Sequence, residues 1–317
     1  MLYLVTGGAG FIGSHLIERL LARGDSITCL DNFNDYYDPK IKEKNITSFK
    51  EHKNFKLIRG DILDEALLKD IFKKKTFDGV VHLAARAGVR PSVLQPMLYQ
   101  EVNVRGTMTL LEMAKEFDVP RFVLASSSSV YGNNKKVPFS ESDNVDNPIS
   151  PYAATKKACE LISYTYSALY GVSVSCLRFF TVYGPRQRPD MAIHKFTKLI
   201  ASDQEISVYG DGKVRRDFTY ITDIIDGVVQ AIDRCNGYQI YNLGESRVVE
   251  LLELIALIEK NLGKKAKIKW LPPQPGDVKI TYSDITKARK ELDYNPKVPI
   301  EEGIKKFVEW FNNYHSK

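Results

Sequence analysis

The chain has 317 residues, about twice the ~150 typical of one domain, so two lobes or one large α/β unit are expected. With 44% hydrophobic and 26% charged residues it can bury a sizeable core, which excludes a wholly disordered chain. A net charge of +6 from 45 basic and 39 acidic residues is too mild and too scattered to point to nucleic acid, and no apolar run reaches the ~18 residues of a membrane helix.

Strands and helices alternate from the start. Leu2 to Thr6 reads as an apolar strand, and Gly13 to Arg23 as a helix with Leu16, Leu20 and Leu21 on one face. Strands are expected at Ser26–Leu30, Lys56–Arg59, Gly79–Leu83, Arg121–Ala125 and Val172–Phe179. Helices are expected at Leu63–Phe72, Leu98–Phe117 and Tyr152–Tyr170. Near-continuous apolar strands between helices imply a parallel sheet covered on both faces, a doubly wound α/β fold. After residue 179 prolines and glycines interrupt the pattern, so residues 180–317 are expected to form a smaller, loop-rich substrate-binding lobe on a cofactor-binding domain of residues 1–179. A helix at Asp223–Arg234, in a segment near 217–237, is expected to return to the first domain. Helices at Ile285–Leu292 and Ile300–Tyr314 close the chain.

The run Leu2 to Val5 is too short for a signal peptide, and a cytoplasmic protein is expected. Cys29, Cys159, Cys176 and Cys235 lack C-x-x-C spacing, so neither a zinc site nor a redox pair is suggested. Cys29 and Cys176 lie in apolar runs and read as small core residues.

The opening LVTGGAGFIGSH places Gly8, Gly10 and Gly13 in G-x-G-x-x-G, and Gly7, Gly10 and Gly13 in G-x-x-G-x-x-G, with a strand before and a helix after. Glycines let the backbone approach a pyrophosphate, and the helix N-terminus offers free N–H groups and partial positive charge. Asp31 stands 18 residues beyond Gly13, at the end of the second strand. A carboxylate there accepts hydrogen bonds from ribose hydroxyls and repels a 2′-phosphate, which favours NAD over NADP. Its alternative is a turn cap beside Asn32. Asp61 ends the third strand and is an adenine contact or an N-cap.

Tyr152 and Lys156 are four residues apart and share a helix face. A phenol, with its ordinary pKa of ~10, is a poor base at neutral pH. A neighbouring ammonium and a positive nicotinamide ring favour phenolate, which can take a proton from an alcohol as hydride leaves the same carbon. Ser126–Ser129 follow the Arg121–Ala125 strand, at the sheet edge that faces the ligand crevice. Small hydroxyls there can bind a substrate oxygen.

With these residues in view, the chain resembles the extended short-chain dehydrogenase/reductase family, in particular the nucleotide-sugar 4-epimerases. The likeness rests on TGGAGFIGSH, HLAARAGVR, SSSSVYG, PYAATKKACE, LRFFTVYGPRQRPDMA and RRDFTYITDI, with PQPGDVKITYSD near the C-terminus. It implies a Rossmann domain holding a tightly bound NAD that is regenerated in each cycle. Cofactor contacts are expected at Gly7, Gly10, Phe11, Ile12, Gly13, Asp31, Asn32, Asp61, Ile62, Leu83, Ala84, Ala85 and Lys156. Tyr152 would be the base, Lys156 would bind the nicotinamide ribose, and Ser127, or else Ser128, would assist at the sugar 4-hydroxyl. Arg216 would contact the UDP diphosphate and Asp277 would lie near the nucleotide ribose. A homodimer built from residues 98–117 and 152–170 is also implied.

Three segments resemble the UDP-glucuronate 4-epimerases: DNFNDYYDP from Asp31, TVYGPRQRPDMA from Thr181, and Gln274 before Pro275-Gly276-Asp277. Glucuronate carries a carboxylate beside the carbon that becomes a ketone, so the intermediate is a β-keto acid prone to lose carbon dioxide. A guanidinium can hold a carboxylate at two points in one plane. The resemblance assigns this to Arg188, aided by Thr181, with Arg90 and Arg186 nearby. Arg86 stands where relatives often carry glutamine. The alternatives are a UDP-glucose or UDP-N-acetylglucosamine 4-epimerase, a UDP-glucuronate decarboxylase, and a non-catalytic nucleotide sensor. A dehydratase fits less well, because that branch carries an acidic residue where Ser127 and Ser128 stand.

Overall fold

The computed structural model describes residues 1–273 and 278–315. Its first half runs β1 (Leu2–Thr6), α1 (Phe11–Ala22), β2 (Ser26–Asp31), α2 (Pro39–Ile46), β3 (Phe55–Arg59), α3 (Glu65–Lys73), β4 (Gly79–His82), α4 (Val89–Leu94), α5 (Pro96–Tyr99), α6 (Gly106–Glu116), β5 (Arg121–Ser127), α7 (Pro151–Tyr170) and β6 (Ser173–Phe179). There follow β7 (Thr181–Tyr183), α8 (Ala192–Ala201), β8 (Glu205–Tyr209), β9 (Arg215–Tyr220), α9 (Ile221–Asp233), β10 (Tyr238–Leu243), β11 (Val248–Glu250), α10 (Leu251–Leu262), β12 (Lys267–Leu271), α11 (Thr286–Leu292) and α12 (Ile300–His315).

Among the described residues the main sheet has seven strands in the order β10-β6-β5-β4-β1-β2-β3, every neighbouring pair parallel. The apolar strands divide their side chains between two layers with the period of two that a pleated strand imposes. Tyr3, Val5, Ile27, Cys29, Val123 and Leu177 pack beneath α1 and α9, whereas Leu4, Leu30, Phe122, Leu124, Val174 and Cys176 pack beneath α3, α6 and α7. Both faces are thus dry, as the doubly wound reading requires. The chain reverses its direction across the sheet between β1 and β4, and the crevice at their carboxyl ends is the ligand position of such a sheet.

The second lobe departs from the loop-rich texture expected. Among the described residues it contains the sheet β11-β9-β7, the parallel pair β12-β8, and the helices α8, α10 and α12 packed together. Pro185, Pro189, Gly210 and Gly212 sit between regular elements and do not replace them. Helix α10 buries Leu254, Ile255 and Ile258 on one face and stops at left-handed Gly263 (φ +66°). Helix α9 returns to α1, where Arg23 pairs with Asp233 and Arg19 with Asp226, and β10 becomes the edge strand beside β6.

The expected helix over 98–117 is also different. Pro96–Tyr99 and Gly106–Glu116 are α-helical, but Gln100–Arg105 between them is a π-helical turn. That wider turn lets buried Asn103 leave the helical register. Its side chain accepts from the Arg86 N–H (2.8 Å) and donates to the Arg86 carbonyl (3.0 Å) and the Thr155 hydroxyl (3.1 Å). Such bulges are frequent at functional sites.

Candidate active site

A cavity of about 630 Å³ opens at the carboxyl ends of β1, β4 and β5 and extends under the second lobe. At its inner end the β1–α1 loop is tight. Gly7 has φ +69°, and a Cβ there would lie 2.7 Å from the Ala84 nitrogen. A Cβ on Gly13 would lie 2.4 Å from the Gly7 carbonyl oxygen. The loop after β4 therefore touches the loop after β1, and only backbone without side chains fits. Helix α1 begins at Phe11 with no side-chain cap, so its first N–H groups face the crevice. This cradle, in which Gly7 and Gly13 leave no room for a Cβ, fits a dinucleotide pyrophosphate.

Asp31 closes the same end and is buried. Its Oδ2 accepts from the Ala9 N–H (3.1 Å), and its Oδ1 accepts from the Phe33 N–H (2.9 Å) and the Lys42 ammonium (3.2 Å). Asn32 donates to Asp61 (2.7 Å), and Asp61 also accepts from the Leu63 N–H. The expected cofactor set, from Gly7 through Ile62 and Leu83–Ala85 to Lys156, lies along the cavity wall.

Helix α7 carries the next part. Ser150 caps it by accepting from the Ala153 N–H (3.1 Å), Pro151 opens its first turn, and Gly171 ends it in the left-handed region. Tyr152 and Lys156 both line the cavity one turn apart. The Lys156 side chain is buried and donates to the Ala125 carbonyl (2.7 Å) at the end of β5. Beneath it His82 lies between Thr6 (2.7 Å) and Thr107 (3.1 Å); burial, and then the Lys156 charge, lower its pKa to about 3, so it stays neutral.

The four serines do different things. Ser126 is buried and donates to Glu160 (2.6 Å), which holds Arg178 at two points inside the protein. Ser127 and Ser128 line the cavity. The Ser127 hydroxyl accepts from the Ser129 N–H (3.2 Å) and the Ser129 hydroxyl (2.8 Å). Its own proton remains to be donated to a ligand oxygen.

The outer wall contains Thr181, Arg188 and Arg216. Arg188 forms a forked ion pair with Asp190 and lies over the Tyr36 ring, 5.4 Å from its centroid. Burial disfavours its charge, but the Asp190 hydrogen bonds and charge outweigh that and raise its pKa. Arg86 faces the same ring at 6.0 Å. Tyr36 and Lys42 line the cavity and were missed in the sequence, although both lie in or beside the DNFNDYYDP segment that carries part of the resemblance. Two expected arginines are elsewhere. Arg186 turns with φ +64° and holds Glu18 of α1 at two points, with Ser14 alongside, so it ties the loop to α1 and does not line the cavity. Arg90 is exposed on α4 with its guanidinium 5.0 Å from the Tyr209 ring centroid. Asp277 and Gln274 lie outside the described residues.

The family model described as GDP-mannose 4,6 dehydratase matches residues 4–307. The chain is 47% identical to the UDP-glucuronate 4-epimerase of Thermodesulfobacterium geofontis, over 97% of this chain and 95% of that one. Among solved structures it is similar to a Bacillus cereus UDP-glucuronic acid 4-epimerase in complex with UDP-glucuronic acid and NAD (TM-score 0.92, 37% identity, 99% of this chain and 100% of that one). It is also similar to a Thermotoga maritima UDP-glucose 4-epimerase with UDP-glucose (TM-score 0.92, 32% identity, 99% and 100%). The chain belongs to the extended short-chain dehydrogenase/reductase family, among its nucleotide-sugar 4-epimerases.

Proposed function

We propose that this protein interconverts UDP-glucuronate and UDP-galacturonate through a 4-keto sugar, with a tightly held NAD that is restored in every turnover. The observation that carries this reading is Arg188, a guanidinium in the wall of a cavity that also contains Tyr152, Lys156 and Ser127. When bound, NAD supplies the oxidant that removes and returns one hydride at the sugar C4.

The chain's own residues do the rest. Tyr152 takes the 4-hydroxyl proton at its phenolic oxygen and gives it back after the keto sugar has turned over. Lys156, held by the Ala125 carbonyl, binds the nicotinamide ribose and places positive charge near that oxygen. Ser127 donates to the sugar O4. Arg216 contacts the diphosphate. Arg188 holds the C5 carboxylate so that its bond stays out of line with the adjacent carbonyl π system. Asp190 occupies the Nε–Nη2 edge of that guanidinium, which leaves the outer Nη1–Nη2 edge for the substrate.

No helix among the described residues is long and apolar enough to cross a membrane, and all four cysteines are free and buried, which suits a cytoplasmic enzyme. A homodimer is supported by Met108 on α6 and by Leu161, Tyr164 and Leu169 on α7, large apolar side chains left exposed on adjacent helices. Sedimentation of the wild type and of Leu161→Lys tests it, with the variant expected to be monomeric.

The function is tested by incubating purified protein with UDP-glucuronate, and separately with UDP-glucose, without added cofactor. A mixture of glucuronate and galacturonate nucleotides is expected. Release of carbon dioxide with a pentose nucleotide would make it a decarboxylase. Turnover of UDP-glucose alone would leave Arg188 without this role. A Tyr152→Phe protein that keeps its biological role would make it a sensor.

A further inference from the structure

We propose that Arg86 is a second substrate-binding arginine, which adds an unmatched positive charge beside the glucuronate carboxylate held by Arg188 and so helps to select a uronate over a neutral hexose. The inference rests on the carboxylate reading of Arg188.

Arg86 is half-buried in the cavity wall, on the loop after β4, and departs from the glutamine that the family resemblance leads one to expect there. Its backbone is fixed. The Asn103 side chain accepts from its N–H (2.8 Å) and donates to its carbonyl (3.0 Å). The same amide donates to the Thr155 hydroxyl on α7, next to Lys156, so the π-helical turn that frees Asn103 registers this loop against the helix that carries Tyr152. The Arg86 guanidinium is 6.0 Å from the centre of the Tyr36 ring, and that of Arg188 is 5.4 Å from the same ring centre. Gly88, with its left-handed backbone (φ +101°), lets the Tyr36 phenol oxygen come within 3.0 Å of the point a Cβ would occupy. Two guanidinium groups thus share one aromatic platform at the wall of one cavity.

Their charges are not matched alike. Arg188 has its own counterion in Asp190. Among the described residues the Arg86 guanidinium makes no ion pair and no hydrogen bond, and what it faces is the Tyr36 ring. A guanidinium has five donors and keeps its proton, so one drawn partly out of water is completed by an anion. The proposed ligands bring three. The cofactor pyrophosphate has the glycine cradle and the start of α1, and the sugar diphosphate has Arg216. The sugar carboxylate has Arg188, whose charge Asp190 already offsets, and Arg86 stands on the ring that Arg188 uses. A carboxylate has about four acceptor positions, so two taken by Arg188 leave room for a second donor. A neutral hydroxymethyl group at the same carbon offers that donor no charge.

The test is ligand binding to the NAD-loaded protein, carrying Tyr152→Phe so that no turnover intrudes. Calorimetry gives Kd for UDP-glucuronate and for UDP-glucose, with and without Arg86→Gln. The exchange should raise Kd for UDP-glucuronate by about tenfold and move the ratio of the two Kd values by nearly as much. Arg86→Lys should recover part of the loss, and the loss should shrink at high salt. Equal weakening of both sugars would overturn the proposal, because a merely structural residue would act on both. Unchanged Kd values with less copurified NAD would overturn it too, and would put Arg86 on the cofactor pyrophosphate. Should Arg86→Gln not fold, Arg86→Met gives the same comparison. A Tyr152→Phe parent that binds UDP-glucose and not UDP-glucuronate takes down the Arg188 reading as well. A parent that prefers UDP-glucuronate, with a ratio unmoved by Arg86→Gln, takes down this proposal alone.

Discussion

Arg188 holds Asp190 at two points, Nε to Oδ1 at 3.0 Å and Nη2 to Oδ2 at 2.8 Å, while its planar face lies against Tyr36. A guanidinium fixed along one edge presents its other edge in a set direction, which a lysine ammonium cannot do. Asp190→Ala should therefore raise KM for UDP-glucuronate by about tenfold, from the loss of charge-assisted hydrogen bonds that orient Arg188. KM for UDP-glucose should change little. Arg188→Lys should lose more, and carbon dioxide trapped during turnover should rise. Steady-state kinetics on both sugars, with labelled carboxylate, separates these effects.

Tyr152 and Lys156 are expected to split into different kinetic signatures. Tyr152→Phe removes the proton acceptor and should lower kcat by about 10²–10⁴-fold with nucleotide still retained. Lys156→Met removes an ammonium held by the Ala125 carbonyl at the cavity wall. It should lower kcat and also the amount of nucleotide that copurifies. Rapid-quench turnover together with the absorbance of released nucleotide distinguishes the two.

Beneath the serine loop, Arg178 and Glu160 form a fully enclosed forked ion pair, and Arg178 also donates to the Tyr131 hydroxyl (3.0 Å). Removing one partner leaves a buried charge alone, at a cost of about 3–5 kcal/mol. Glu160→Ala should show this in urea denaturation. It also removes the acceptor for Ser126, so residual activity should fall together with stability. Pairing it with Arg178→Met should recover part of the stability, because no charge is then left unpaired.

What was legible in the sequence follows from how local each signal is. The β1–α1 loop, Asp31 and the Tyr152–Lys156 pair carry their geometry within one strand–turn–helix or one helical turn, and they reach the cavity where the pattern puts them. Arg186 and Arg188 are two residues apart and equally basic, and no local pattern separates them. A left-handed backbone at Arg186 sends one guanidinium to Glu18 of α1 while the other faces the cavity. Lys42 was invisible for the same reason: its meaning comes from Asp31, eleven residues away, across a loop. The second lobe was underread because α8 and α10 bury their apolar faces against each other and against α12, a pairing between segments some fifty residues apart that no local pattern announces.

Acid groups clustered where β9, α9 and the end of β10 meet make stability depend on pH in a defined direction. Glu245 has a buried Oε2 without a hydrogen-bond partner, and its N–H donates to Asp217 (2.8 Å). Burial first, then the charges of Asp223 and Asp217, raise its pKa from 4.5 to about 7, against the opposing pull of Arg247 and Arg289. Between those two values the folded protein binds more protons at this site than the unfolded chain does. Stability from this group is therefore complete below about pH 4.5 and is lost as pH rises through about 7. His15 and His82, whose pKa values burial lowers to about 4 and about 3, act in the opposite sense, losing stability as pH falls below their unfolded value. Glu245→Gln leaves the histidines untouched and removes only the carboxylate. Its denaturation midpoint should exceed that of the wild type at about pH 8 and converge with it at about pH 5. A constant difference across that range would mean that the Glu245 carboxyl titrates no differently in the folded and unfolded chains.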